Sequence, residues 1–233
     1  MVIINPCDEV YKEVTMSQWN IAAAQYASRH NDIGEHVKHH LHFISAAADL
    51  RCDLLVFPEL SLTGAACDAF SLPSPPTEQQ LNPLVHAASA CDMTVIAGIT
   101  VDTDAGRQKG MALFVPGESH AICAPLNSRA CPVPGKSQVN VLGNPDDTTN
   151  LDPQAVLMTS CLAVSDNRWT STLSHMQRFA HRYAIAVLMA NARSGSALWD
   201  ARGQLIVRAD QGELLLTGSF DQRGWQGDII PLR

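Results

Sequence analysis

Several things are scarce in this 233-residue sequence, and each scarcity excludes a class of function. No apolar run approaches the roughly 18–20 residues of a helical membrane span. Positive charge is short: 16 Lys and Arg stand against 23 Asp and Glu, for a formal charge of −7. Nucleic acid or an anionic membrane surface would need a clustered basic face, so neither is an expected partner. The opening "MVIINPCDEVYKEV" has a short apolar start, then Asn5 and Pro6, then acids, which is not the pattern of a signal peptide. The seven cysteines (7, 52, 67, 91, 123, 131 and 161) form no C-x-x-C pair and are odd in number. A disulfide framework or zinc site is not expected; reduced, mostly buried thiols in a cytoplasmic protein are. "TGAACDAF" lacks the glycines and Lys-Ser/Thr of a phosphate loop, and "RSGSALW" fails the G-x-S-x-G of a serine-hydrolase elbow.

What is present is a globular pattern, 46% hydrophobic and 17% charged. "WNIAAAQY" (19–26) reads as a strand. The next stretch, 33–51, has Ile33, Val37, Leu41, Ile44 and Ala48 at helical spacing. "DLLVFPE" (53–59) is a strand buried on both faces, and Thr77 with Gln80 after it starts a helix running to about Cys91. "TVIAGIT" (94–100) and "MALFVPGE" (111–118) are further strands. Trp169, Leu173, Met176, Ala180 and Tyr183 mark a helix, and "AIAVLMAN" (184–191) another buried strand. "SALWDARGQLIVRA" predicts two strands joined around Arg202–Gly203, and "GELLLTGSF" (212–220) closes the core. Strands alternating with helices predict a mainly parallel sheet under helices. No linker divides the chain, so residues 1–233 read as one domain with 1–17 as an N-terminal extension.

His36, His39, His40 and His42 crowd the first helix. His36 and His40, one turn apart, have the spacing of a metal pair. They lie beside the core stripe with no matching Cys or carboxylate, so a solvated polar face is expected and no metal.

At "DLLVFPELSLTG" (53–64) the sequence resembles the nitrilase superfamily of carbon–nitrogen hydrolases, in which a strand ending in F-P-E precedes a short turn. "IAAAQY" with Gln25, "GRQKGMALFVPGE", and "AIAVLMANARSGSALWDARGQLIVRA" agree in order, so the likeness spans residues 19–220. The resemblance implies an α-β-β-α sandwich, homodimers or higher homo-oligomers paired across the helical layers, and no cofactor. It also implies a Glu–Lys–Cys set that hydrolyses amides or nitriles. In that chemistry a thiolate forms an acyl-enzyme, a glutamate moves the proton, and an ammonium steadies the oxyanion.

Glu59 falls on the general base of that set. Aligning the following segment puts Cys123 near the lysine and Ala130 near a second glutamate, and neither carries the needed charge. The nucleophile's strand should fall in "QVNVLGNPDDTTNLDPQAVLMTS" (138–160), which is shortened and has no cysteine. Cys161 and Lys136 are alternates in the right chain order. Cys161, however, lies 30 positions before Asn191, which leaves room for one helix and one strand, and it lacks an Asp two residues on. The expectation is a nitrilase-like protein without its catalytic Lys and Cys, a pseudoenzyme or a binder of a small amide-like ligand or a partner. The alternative is an active amidase or related C–N hydrolase using Glu59, Lys136 and Cys161. The tail "GWQGDIIPL" (224–232) crosses to a neighbouring subunit or packs on its own domain.

Overall fold

The computed structural model describes residues 18–27, 32–64, 72–136, 139–142, 151–164, 166–193 and 195–232. Residues 1–17 and the Gly143–Asp147 stretch lie outside them. The elements run β1 (Trp19–Gln25), α1 (Ile33–Asp49), β2 (Leu54–Val56), α2 (Glu78–Ala90), β3 (Thr94–Thr103), β4 (Gly106–Phe114), β5 (Ile122–Pro125), β6 (Arg129–Cys131), β7 (Val139–Leu142), β8 (Leu157–Leu162), α3 (Asp166–Tyr183), β9 (Ala186–Asn191), β10 (Ala197–Trp199), β11 (Leu205–Arg208), β12 (Leu214–Asp221) and β13 (Gly224–Pro231).

Local chemistry sets the helix starts. The Asp32 carboxylate accepts from the Glu35 N–H at 2.9 Å, filling one of the four donors a helix start leaves open. Thr77 and Gln80 form a reciprocal capping box on α2. The strands assemble into two sheets, seven-stranded in the order β13-β12-β1-β2-β3-β4-β5 and six-stranded in the order β11-β10-β9-β8-β7-β6. Alternate residues of each strand feed opposite faces. Ala22, Ala24, Leu55, Val95 and Leu215 pack under α1 and α2. Ile21, Ala23, Leu54, Ile96, Val141 and Leu188 meet between the sheets. Met158, Val187, Met189 and Trp199 pack under Met176, Phe179 and Ala180 of α3. The result is the four-layered α-β-β-α sandwich.

Two expectations are corrected. Parallel pairing is confined to β1–β2–β3 and β7–β8–β9, and the other ladders are antiparallel. The reason is the number of hairpins: a two-residue turn can only reverse a strand, as at Asp104–Ala105 between β3 and β4. The second concerns α1. Its buried face is His36, Val37, His40, Phe43, Ile44 and Ala47, so His36 and His40 belong to the core side rather than to a solvated face. The tail, as β13, pairs with β12 of its own chain from Leu214↔Pro231 to Asp221↔Gly224. No helix among the described residues is long and apolar enough to cross a membrane.

Candidate functional site

The parallel strands of both sheets end on the same side of the sandwich, the side on which ligands of open α/β sheets collect. Glu59 stands there. β2 leaves its sheet after Phe57, whose N–H still donates to the Ile96 carbonyl at 2.8 Å. The chain then bends into a turn with Leu60 at φ 53, in the left-handed region. The turn lies across β3, where Leu62 N–H donates to the Gly98 carbonyl at 3.0 Å. This crossing needs Gly98, because a Cβ there would collide with Pro58 O and Leu60 N.

A buried polar relay fixes the turn to α1. Ser61 Oγ lies 3.0 Å from His40 Nε2 and accepts from Gly98 N–H at 3.2 Å, while His40 Nδ1 lies 2.7 Å from the His36 carbonyl. A carbonyl only accepts, so Nδ1 carries the hydrogen; in the neutral ring Nε2 accepts from the Ser61 hydroxyl. The ring is stacked on Phe57 with centroids 4.0 Å apart, and burial holds its pKa down to about 3. His36 and His40 are thus joined through the His36 backbone carbonyl. Among the described residues no group of three or more His, Cys, Asp or Glu is placed to hold a metal ion.

By crossing β3, the turn carries Glu59 to β4. Its Oε1 is 2.7 Å from Lys109 Nζ, with the carboxylate side chain 15% exposed and the lysine 50% exposed. Lys109 was not among the sequence candidates. It lies inside the quoted "GRQKGMALFVPGE", but the lysine was sought further along the chain. Only the β3–β4 register, which sets Lys109 opposite Thr100, reveals it. Lys136 is not brought to this site. Its Nζ is 3.5 Å from Asp53 Oδ1 and also bonds the Gln18 carbonyl, at the start of β2. Asp53 and Phe57 stand at opposite ends of β2, roughly 13 Å apart, and Glu59 lies beyond Phe57.

Cys161 is brought close to Glu59 but is enclosed. It is the penultimate residue of β8, followed by α3 and then β9, which ends at Asn191. Its side chain is 0% exposed within the inter-sheet core. Burial, then the negative charge of Glu59, push the thiol up to about 12. The Glu59 N–H donates to the neighbouring Leu162 carbonyl at 3.4 Å, which ties the two sheets at this end. Cys123 sits on β5 opposite Ala112, a residue of the helix-side core, so it shares that face. Ala130 pairs with Asn140 on β7. Asn140 in turn holds the chain entering β8 through two bonds with the Asp152 backbone, at 2.9 and 3.0 Å.

The other quoted segments meet in one network beside this site. The Gln25 amide oxygen accepts from Ser196 N–H at 2.8 Å, and Ser196 Oγ accepts from Asn191 N–H at 3.1 Å. The Asn191 side chain accepts from Val164 N–H at 2.8 Å. Buried backbone donors thus find partners across the sheets, which is a folding role for each segment.

Residues 20–117 match the family described as carbon-nitrogen hydrolase. Among solved structures, the chain is similar to the glutamine-dependent NAD+ synthetase of Acinetobacter baumannii, with TM-score 0.72 and 15% identity over 90% of this chain and 47% of that one. The chain therefore spans about half the length of that synthetase. It is also similar to an amidase of Nesterenkonia AN1 from the nitrilase superfamily, with TM-score 0.66 and 17% identity over 88% of this chain and 91% of that one. The same Nesterenkonia amidase in complex with butyramide matches with TM-score 0.65 and 18% identity over 85% of this chain and 89% of that one. At such identities the likeness to the solved structures is one of fold. Residues 20–117 thus carry the carbon-nitrogen hydrolase match, and the chain as a whole shares the two-sheet fold of the nitrilase-superfamily amidase.

Proposed function

We propose that this chain is a nitrilase-fold protein that no longer hydrolyses through cysteine and binds a small carboxamide non-covalently at Glu59 and Lys109. One observation carries the reading: the cysteine beside Glu59 is wholly enclosed, with its thiol pushed up to about 12. Removing its proton at pH 7 costs about 7 kcal/mol before any attack, since each unit of pKa is worth about 1.4 kcal/mol. Residues 138–160, where the resemblance looks for the nucleophile, contain no cysteine. Without a nucleophile the acyl-enzyme route is closed, because members of such a set act as a unit.

A carboxylate and an ammonium side by side are complementary to a primary amide, whose N–H groups donate to the one and whose carbonyl accepts from the other. The active-hydrolase reading keeps one point in its favour, the closeness of Glu59 to both Lys109 and Cys161. Self-association across the helical layers also belongs to this proposal. Leu50 and Tyr183, at the ends of α1 and α3, are exposed apolar side chains there. Sedimentation velocity at micromolar concentration tests it, and a monomer removes it.

The deciding experiment measures ammonia release from a panel of amides, nitriles and carbamoyl compounds, together with butyramide binding by ligand-observed NMR. It uses the parent, Glu59→Gln, Lys109→Met and Cys161→Ala. The proposal expects no turnover, and butyramide binding that is lost in Glu59→Gln and Lys109→Met but kept in Cys161→Ala. Turnover abolished by both Glu59→Gln and Cys161→Ala would make this a working hydrolase instead.

A further inference from the structure

At the opposite end of the sandwich, where β8 and β9 begin, the sheets part around a cleft of about 810 Å³. That volume is in the range of small-molecule sites, roughly 300–1,000 Å³. From the seven-stranded sheet it is lined by Phe220 and Trp225, partly buried residues of the inter-sheet core, with ring centroids 5.2 Å apart. They present aromatic surface to the cleft from neighbouring strands.

The opposing wall is the β10–β11 turn, and its backbone is held from two sides. The Asp200 carboxylate accepts from Arg202 N–H at 2.9 Å and Gln204 N–H at 2.8 Å. His181 Nδ1 of α3 bonds the Arg202 carbonyl at 3.2 Å. Gly203, at φ +76, lets the turn lie against Gln177 O and His181, where a Cβ would not fit. Arg202 is therefore presented from a fixed turn.

The charges lining the cleft are not equivalent. The Arg223 guanidinium is chelated by the Asp221 carboxylate at 3.0 and 3.3 Å, and Asp200 is engaged by backbone donors. Among the described residues nothing is hydrogen-bonded or ion-paired to the Arg202 guanidinium. A planar, five-donor group with no partner among the described residues, across a cleft from two aromatic rings, is complementary to a flat ring that bears an acidic group. We propose that this cleft binds a planar aromatic anion, its ring against Phe220 and Trp225 and its acidic group on Arg202. The site is remote from Glu59 and independent of the function proposed there.

The test titrates indole-3-carboxylate into the parent protein, with uncharged indole and acetate as controls, by calorimetry and saturation-transfer NMR. The proposal expects saturable binding at or below about 1 mM, weakened about tenfold or more in Arg202→Gln and unchanged in Glu59→Gln. Indole and acetate should each bind more weakly than the combined probe. Trp225→Leu should also weaken binding; if its circular dichroism shows it unfolded, Trp225→Phe replaces it. The exposed Arg202 variant keeps the test decisive in either case. Absence of saturable binding, equal binding by the parent and Arg202→Gln, or loss in Glu59→Gln alone would each overturn the proposal.

Discussion

Acid should weaken this protein through one buried ring. His40 titrates near 6.5 when unfolded and near 3 when folded, because burial disfavours the cation and the nearby His39 and His36 oppose it further. The bond to the His36 carbonyl works the other way but does not offset burial. The folded pKa is the lower one, so below pH 6.5 the unfolded chain binds a proton that the folded chain refuses. Stability due to the neutral ring is then complete above about pH 6.5 and falls as pH drops toward 3. The slope approaches 1.4 kcal/mol per pH unit, and the total is about 5 kcal/mol. Urea unfolding of the parent and of His40→Gln, at half-unit steps from pH 7.5 to 4, isolates this contribution, because the other titrating groups are common to both. The stability difference between the two should shrink by about 1.4 kcal/mol per unit below pH 6. A difference that does not change with pH, or a His40 resonance titrating near 6.5 in the folded protein, would refute the reasoning.

Two further perturbations test the fold around the sites. Gly98→Ala drives a methyl into Pro58 O and Leu60 N, both backbone atoms that cannot move independently of the Glu59 turn. It should cost about 3 kcal/mol or more, seen as a fall in Tm, whereas a neutral effect would mean that the turn is not seated on β3. At the edge strand β13, the Ile229 N–H is bonded at 2.7 Å by the Asp228 carboxylate, and Pro231 lacks a donor altogether. Both are devices that keep a sheet edge from pairing with another chain. Asp228→Ala should therefore raise concentration-dependent association by light scattering, and unchanged scattering would show that the edge is protected by something else.

How much of this was legible in the sequence depends on the range of the interaction involved. β1, α1, α2, α3 and the β10–β11 hairpin follow from periodicity and caps within a single segment, and their limits match to within a few residues. Glu59 was legible because F-P-E is contiguous. Lys109 was not, because its meeting with Glu59 combines two long-range facts: a glycine that lets the turn cross β3 and a register that sets Thr100 against Lys109. His36 and His40 were placed on the wrong face for a different reason. Helical spacing fixes a stripe but not which neighbouring rows complete it, and Phe57 and Ser61 supply the contacts that draw His40 inward.

The Glu59 carboxylate itself remains to be explained, and the fold does not explain it. The turn that bears it is held by Ser61, Gly98 and His40, and by the Leu162 carbonyl, through bonds that do not involve the Glu59 side chain. Its one side-chain bond among the described residues is to a lysine half exposed to solvent. Solvent-screened pairs of that kind contribute about 0–1 kcal/mol. Glu59→Gln should then lower stability by no more than about 1 kcal/mol in urea unfolding, while removing the charge that an amide N–H would meet. A loss of several kcal/mol would assign the carboxylate to the fold. A loss within that bound leaves a charged pair that the architecture does not require, at the ends of the parallel strands, which is what the amide site proposed above predicts.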